Sequence, residues 1–136
     1  MVSALPLMLV PFAFYNVAMF GLIGVNGVNW LGTGLVTATM VSGAQWTFTI
    51  GDLLVVTALA MLFVEILKAA RGREFRAADH VLSGIVFLVF LAEFLLFESA
   101  ATSVFFLLML IALFDVAAAF AISWRSASRN TAIGLR

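Results

Sequence analysis

Four apolar stretches, each about twenty residues long, constrain the fold of this sequence more than any other feature. A helix of about 20 mostly apolar residues crosses the hydrocarbon core of a bilayer. The stretches cover residues 5–25, 50–70, 80–98 and 103–124 and leave no room for a folded soluble domain. We therefore expect one membrane domain over residues 1–136, folded as an all-α antiparallel bundle of four transmembrane helices.

Composition excludes several classes of protein and site. Apolar residues make up 65% of the chain and charged residues 10%, whereas soluble domains are about 45–50% apolar. The sequence has no cysteine and one histidine, His80, which excludes a disulfide scaffold, an iron–sulfur cluster and a bis-histidine haem held by one chain. The formal net charge is zero, so nucleic acid is not an expected partner. The sequence contains no phosphate-binding loop, metal-ligand cluster or activated nucleophile, and we expect neither an enzyme nor a metal or cofactor.

The basic residues predict how the spans are oriented. Lysine and arginine are concentrated in the cytoplasmic loops of membrane proteins. With four antiparallel spans, the link between spans two and three lies on the same side as the segment after span four. All basic residues fall in these two regions: Lys68, Arg71, Arg73, Arg76, Arg125, Arg129 and Arg136. The sequence therefore predicts a multi-pass protein of the cell inner membrane with both termini in the cytoplasm.

The outer connection, residues 26–49, is uncharged and rich in glycine, threonine and valine. Its β-branched residues around a Ser42–Gly43 turn signal predict a small hairpin with strands at 35–41 and 44–49. Trp30 and Trp46 lie in this segment and Trp124 ends span four, which is the placement expected of interfacial anchors. We expect the segment to be a docking surface for a partner, a cap over the bundle or a linker lying on the membrane.

Two predicted helix starts carry capping residues. The connection at 98–103 is short enough for a tight hairpin between spans three and four, with Ser99 or Thr102 as the cap of the fourth helix. Asp52 falls in the first turn of span two, where the helix dipole favours a carboxylate. Near the other end of that span, Glu65 precedes Lys68 by three positions, which predicts an ion pair at the membrane interface.

Polar and ionisable groups inside the spans are costly and mark candidate sites. At 1.5 Å per residue, Asp115 lies roughly 13 Å and Glu93 roughly 19 Å from the inner boundary. By the same count, Tyr15 and Asn16 lie at roughly 15 Å. Three of the four spans therefore bring polar groups to one level. We expect these groups to form a structural polar contact between helices, to carry a transported proton or ion, or to contact a partner or ligand.

An aromatic stripe follows span three. Phe87, Phe90, Phe94 and Phe97 repeat at spacings of three and four, and Glu93 lies beside them. This pattern suits contact with lipid, with a partner helix or with a hydrophobic ligand such as a quinone or a carotenoid. Packing within the bundle is the alternative interpretation.

The stretches FTIGDLLVVTALAMLFVEILKAARG, DHVLSGIVFLVFLAEFLL and SWRSASRN resemble small four-span inner-membrane proteins of proteobacteria, a group without an assigned function. The resemblance covers about residues 48–130. It implies a bacterial inner membrane and transfers no functional residue.

Together these features predict a non-enzymatic membrane protein that works by association, as a small accessory or structural subunit of a larger inner-membrane complex. Its expected partners are the lipid bilayer and other membrane subunits or further copies of itself. The alternatives are a proton- or ion-coupled transporter or channel that uses Glu93 and Asp115, and a protein that binds a hydrophobic ligand along the phenylalanine stripe.

Overall fold

The computed structural model describes residues 6–21, 27–71 and 77–134, and the protein is mostly helical with one small sheet. In chain order the regular elements are α1 (Leu9–Met19), β1 (Gly34–Thr39), β2 (Gln45–Thr49), α2 (Ile50–Ala70), α3 (Ala77–Leu96) and α4 (Ser103–Gly134). Short 3-10 helices at Gly27–Gly32 and Glu98–Ala100 lie before β1 and before α4.

Helix α2 begins with a complete capping box. The Thr49 hydroxyl accepts a hydrogen bond from the Asp52 backbone N–H at 3.2 Å, and the Asp52 carboxylate accepts from the Thr49 N–H at 2.9 Å. These two bonds satisfy donors that the first turn of a helix leaves open. The predicted place of Asp52 in the first turn is confirmed. The helix has 21 residues, which corresponds to a length of about 32 Å.

Helix α1 is much shorter than the span predicted over residues 5–25. Within the described residues it covers Leu9–Met19, a length of about 16 Å. It ends because Gly21 adopts φ 71°, in the left-handed region, and its N–H bonds to the Ala18 carbonyl. Hydropathy does not predict this end of the helix, since the residues around it remain apolar. Residues 5 and 22–25 of the predicted span lie outside the described part.

The predicted hairpin between the first two helices is confirmed. Strands β1 and β2 pair antiparallel, with Thr37 opposite Thr47 and Ala38 opposite Trp46. The turn closes through hydrogen bonds from Met40 N–H to Ala44 O and from Gly43 N–H to Met40 O. Gly43 has φ 86°, a conformation that glycine adopts without the steric cost of a side chain.

Helix α4 is the central element, because it packs against both α2 and α3. Thr102 caps it by accepting a hydrogen bond from Phe105 N–H at 3.2 Å, as one of the two predicted alternatives. Helices α2 and α4 run side by side from the same end, since Gly51 at the start of α2 lies against Val104 at the start of α4. The shared core contains the fully buried rings of Tyr15, Phe90 and Phe105.

Within the described residues, two helical segments, Ile50–Ala70 and Ser103–Ile122, are long and apolar enough to cross a membrane. Only 22% and 33% of their respective windows are buried within the protein. Leu9–Met19 and His80–Leu96 are shorter apolar helices. Large apolar side chains are exposed on α2, α3 and α4, including Phe63, Leu88 and Phe114.

Candidate functional site

A pair of carboxyl groups joins α2 to α4. The Glu65 and Asp115 side chains lie close enough to interact electrostatically, and Asp115 is only 7% exposed. Glu65 Oε1 also accepts a hydrogen bond from the Leu7 backbone N–H, just before α1. Glu65 therefore links α2 to the segment before α1 through a hydrogen bond and to α4 through its proximity to Asp115.

The helical phase of both helices explains this pairing. The buried residues of α2 are Gly51, Leu54, Ala58 and Leu62, and Glu65 continues that series at the next helical step. On α4, Ala112 is buried one turn before Asp115. Both acids thus extend core-facing stripes.

The structure gives Glu65 different closest partners from those predicted. The sequence placed it in an ion pair with Lys68 at the interface. In the structure its carboxyl contacts Asp115 and Leu7, and Lys68 adds a weaker electrostatic attraction. The spacing of the buried residues of α2 contained the signal that this glutamate faces inward.

Asn16 and Glu93 form a second polar contact, between α1 and α3. The Asn16 amide lies near the Glu93 carboxyl, and its Nδ2 donates a hydrogen bond to Phe12 O at 3.1 Å. Asn16 and Glu93 are therefore brought together, whereas Asp115 is paired with Glu65.

Tyr15 belongs to a third contact, near the connection between α3 and α4. Its hydroxyl donates to Ser99 O at 3.0 Å and lies 2.6 Å from Thr102 Oγ1. Its ring lies 4.8 Å from that of Phe105. The four predicted polar residues are thus distributed over three helix–helix contacts.

Most of the phenylalanine stripe is used in packing within the protein. Phe90 is fully buried, with its ring centroid 4.6 Å from Phe12 and 5.3 Å from Phe105. Phe94 stacks on Phe105 at 6.4 Å, and Phe87 packs against the core. Phe97 is the exposed member of the stripe.

The predicted anchors lie in different environments. Trp30 packs partly into the core near Phe14, whereas Trp46 and Trp124 are exposed.

The basic residues lie at the ends of two helices. Lys68 and Arg71 lie at the end of α2, and Arg125 and Arg129 lie in the last part of helix α4. Three further basic residues used in the prediction, Arg73, Arg76 and Arg136, lie outside the described residues.

Within the described residues, no group of three or more histidine, aspartate or glutamate side chains is arranged to hold a metal ion. Comparison with protein-family models, with curated proteins and with solved structures finds no match. Any functional proposal therefore depends on the geometry of the chain itself.

Proposed function

We propose that this chain is an integral protein of the bacterial inner membrane that works without catalysis, as a small accessory subunit of a larger membrane complex. In this proposal the four helices form a transmembrane bundle with both termini in the cytoplasm. The observation that carries it is the division of the side chains. Polar groups of the helices contact one another inside the protein, while large apolar side chains cover its outside.

The outward surface favours a membrane environment. Exposed apolar residues recur along all three long helices, for example Val56 on α2, Ile85 on α3 and Phe106 on α4. Soluble monomers rarely expose contiguous apolar patches larger than a few hundred Å². Lipid tails and the helices of another membrane protein are the surroundings that match such a surface.

The basic residues support the proposed orientation. Helices α2 and α4 run parallel, with Gly51 against Val104 at one end and Glu65 against Asp115 further along. Their C-terminal ends, which carry Lys68 and Arg125, therefore lie on the same side. Positive residues mark the cytoplasmic side of inner-membrane proteins.

Helix α1 is the short member of the proposed bundle. Its regular part covers about half of a hydrocarbon core of about 30 Å. A shorter helix is tolerated at membrane depth where protein covers the backbone that continues it. Pro11, Tyr15 and Ala18 of α1 are buried against the rest of the protein, which is consistent with this arrangement.

The function is tested by extracting the tagged protein in native lipid discs and measuring the mass and composition of the particle. We expect a discrete particle that contains other membrane chains in fixed ratio. A second inner-membrane protein with the same tag is the control for chance co-extraction. A particle that contains only copies of this chain would contradict the accessory-subunit proposal.

A second candidate, proton transport, is favoured by the Glu65–Asp115 pair alone. Two neighbouring carboxyl groups inside a bundle are side chains that can exchange protons, and acidic side chains occur along proton pathways in membranes. The sequence predicted that a transporter would use Glu93 and Asp115, whereas Glu65 is the acidic residue that lies beside Asp115.

The two functions are separated by the double variant Glu65→Gln/Asp115→Asn in proteoliposomes containing a pH-sensitive dye. Side-chain amides keep hydrogen-bonding capacity and remove the titrating groups. A transporter would lose proton flux while its helix content stays unchanged, and Glu93→Gln is the matched control in a separate contact. An accessory subunit would show no flux in either form and would retain its native particle.

A further inference from the structure

The hairpin of β1 and β2 has two chemically different faces. Side chains alternate between the faces of a strand, and directly paired residues share a face. The register therefore places Val36, Ala38, Trp46 and Phe48 on one face. The opposite face carries Thr37, Thr39, Gln45 and Thr47, and the Thr37 and Thr47 hydroxyls are hydrogen bonded at 3.0 Å.

The apolar face of the hairpin is open. Val36 is 62% and Trp46 51% exposed, although these side chains face the same way as the half-buried Phe48. The Trp46 and Phe48 rings lie 5.7 Å apart and form an aromatic surface. No charged residue occurs before Asp52, so no charge opposes contact of this face with an apolar medium.

The hairpin is placed where a membrane interface is expected. Strand β2 continues directly into α2 through Thr49, and Ile50 N–H bonds to Thr33 O at the base of the hairpin. Trp46 is three residues before Thr49, about 10 Å along the strand. The exposed apolar surface of α2 begins just after this point, at Leu53.

We propose that the apolar face of the hairpin, formed by Val36, Ala38, Trp46 and Phe48, binds the interfacial region of the lipid bilayer beside the start of α2. The partner is lipid because this face continues the apolar surface of a membrane-spanning helix and because tryptophan favours the headgroup level. The threonine-rich face then points to water. The inference rests on the proposed membrane location of the chain.

The test uses single-tryptophan proteins in phosphatidylcholine vesicles. Trp30→Phe/Trp124→Phe leaves Trp46 as the only tryptophan. A second protein also carries Trp46→Phe and Gln45→Trp. Its only indole then lies one residue away, on the opposite face of the hairpin and at nearly the same distance from the start of α2. Each protein is quenched by lipid brominated near the headgroup end of its acyl chains and, separately, by aqueous acrylamide.

We expect Trp46 to lose most of its emission to brominated lipid and little to acrylamide, and the reporter at position 45 to show the reverse. Strong quenching of Trp46 by acrylamide alone would overturn the proposal in favour of a hairpin in water. Protection from both quenchers would overturn it in favour of a protein partner on this face.

A third protein separates failure of this inference from failure of the membrane proposal. Trp30→Phe/Trp46→Phe leaves only Trp124, which is exposed in α4. If Trp124 is quenched by brominated lipid and Trp46 is not, the chain is in the membrane and only the hairpin inference is wrong. If neither is quenched by brominated lipid, the membrane proposal is wrong as well.

Discussion

Removing the Tyr15 hydroxyl should destabilise the protein through one defined contact. Tyr15→Phe retains the ring against Phe105 and removes the hydrogen bonds to Ser99 O and Thr102 Oγ1. A net hydrogen bond contributes about 0.5–1.5 kcal/mol in soluble proteins, and such bonds between membrane helices average about 0.6 kcal/mol. For two bonds at a fully buried residue we expect a loss of about 1–2 kcal/mol in the free energy of unfolding.

The assay is unfolding of the purified protein in mixed micelles, followed by tryptophan fluorescence, in a double-mutant cycle with Thr102→Val. Thr102 also caps α4, so the single variant costs more than its bond to Tyr15. The coupling between the two isolates that bond and should be about 0.6–1.5 kcal/mol. Thr57→Val is the matched control, because the Thr57 hydroxyl bonds only within α2, to Leu53 O. A coupling energy of zero between Tyr15→Phe and Thr102→Val would refute the reasoning. So would a loss of unfolding free energy in Thr57→Val equal to the loss in Tyr15→Phe.

Three glycine positions give further predictions. A Cβ at Gly51 would lie 2.8 Å from Val104 Cγ2 and 3.2 Å from Leu31 O, so Gly51→Ala should cost about 1–3 kcal/mol by forcing α2 from α4. Gly84→Ala in α3 meets nothing within 4 Å and should be neutral or gain up to about 1 kcal/mol; equal losses in the same unfolding assay would contradict this. Gly43 has φ 86°, so Gly43→Ala should lower the stability of the hairpin by about 1–2 kcal/mol. NMR should show this as faster hydrogen exchange of the Met40 amide. An unchanged exchange rate would contradict the need for a left-handed residue at this turn.

Local signals predicted the elements that depend on neighbouring residues. The hairpin followed from β-branched residues around Ser42–Gly43. The place of Asp52 in the first turn of α2 followed from the helix dipole, and the cap at Thr102 from a residue type that accepts backbone hydrogen bonds. These features are encoded within a few positions of the chain. The long runs of apolar residues likewise predicted the long apolar helices α2 and α4.

Features that depend on tertiary contact were predicted less well. The sequence linked Glu65 to Lys68 because helical neighbours are the only partners that spacing identifies, whereas the fold brings Asp115 from another helix. The end of α1 at Met19 depends on the backbone conformation of Gly21 within an apolar run. Depth along straight helices placed Tyr15 with the carboxyl groups, but the Tyr15 hydroxyl extends to the α3–α4 connection.

The measurement that tests the proposed topology most directly is cysteine labelling with a membrane-impermeant maleimide. The chain has no cysteine, so Ser42→Cys in the hairpin turn and Ser128→Cys in the last part of α4 form a matched pair of isosteric substitutions. In intact cells we expect Ser42→Cys to be labelled and Ser128→Cys to react only after the inner membrane is permeabilised. Labelling of both positions in intact cells, or of Ser128→Cys alone, would contradict a bundle with its hairpin outside and its basic residues in the cytoplasm.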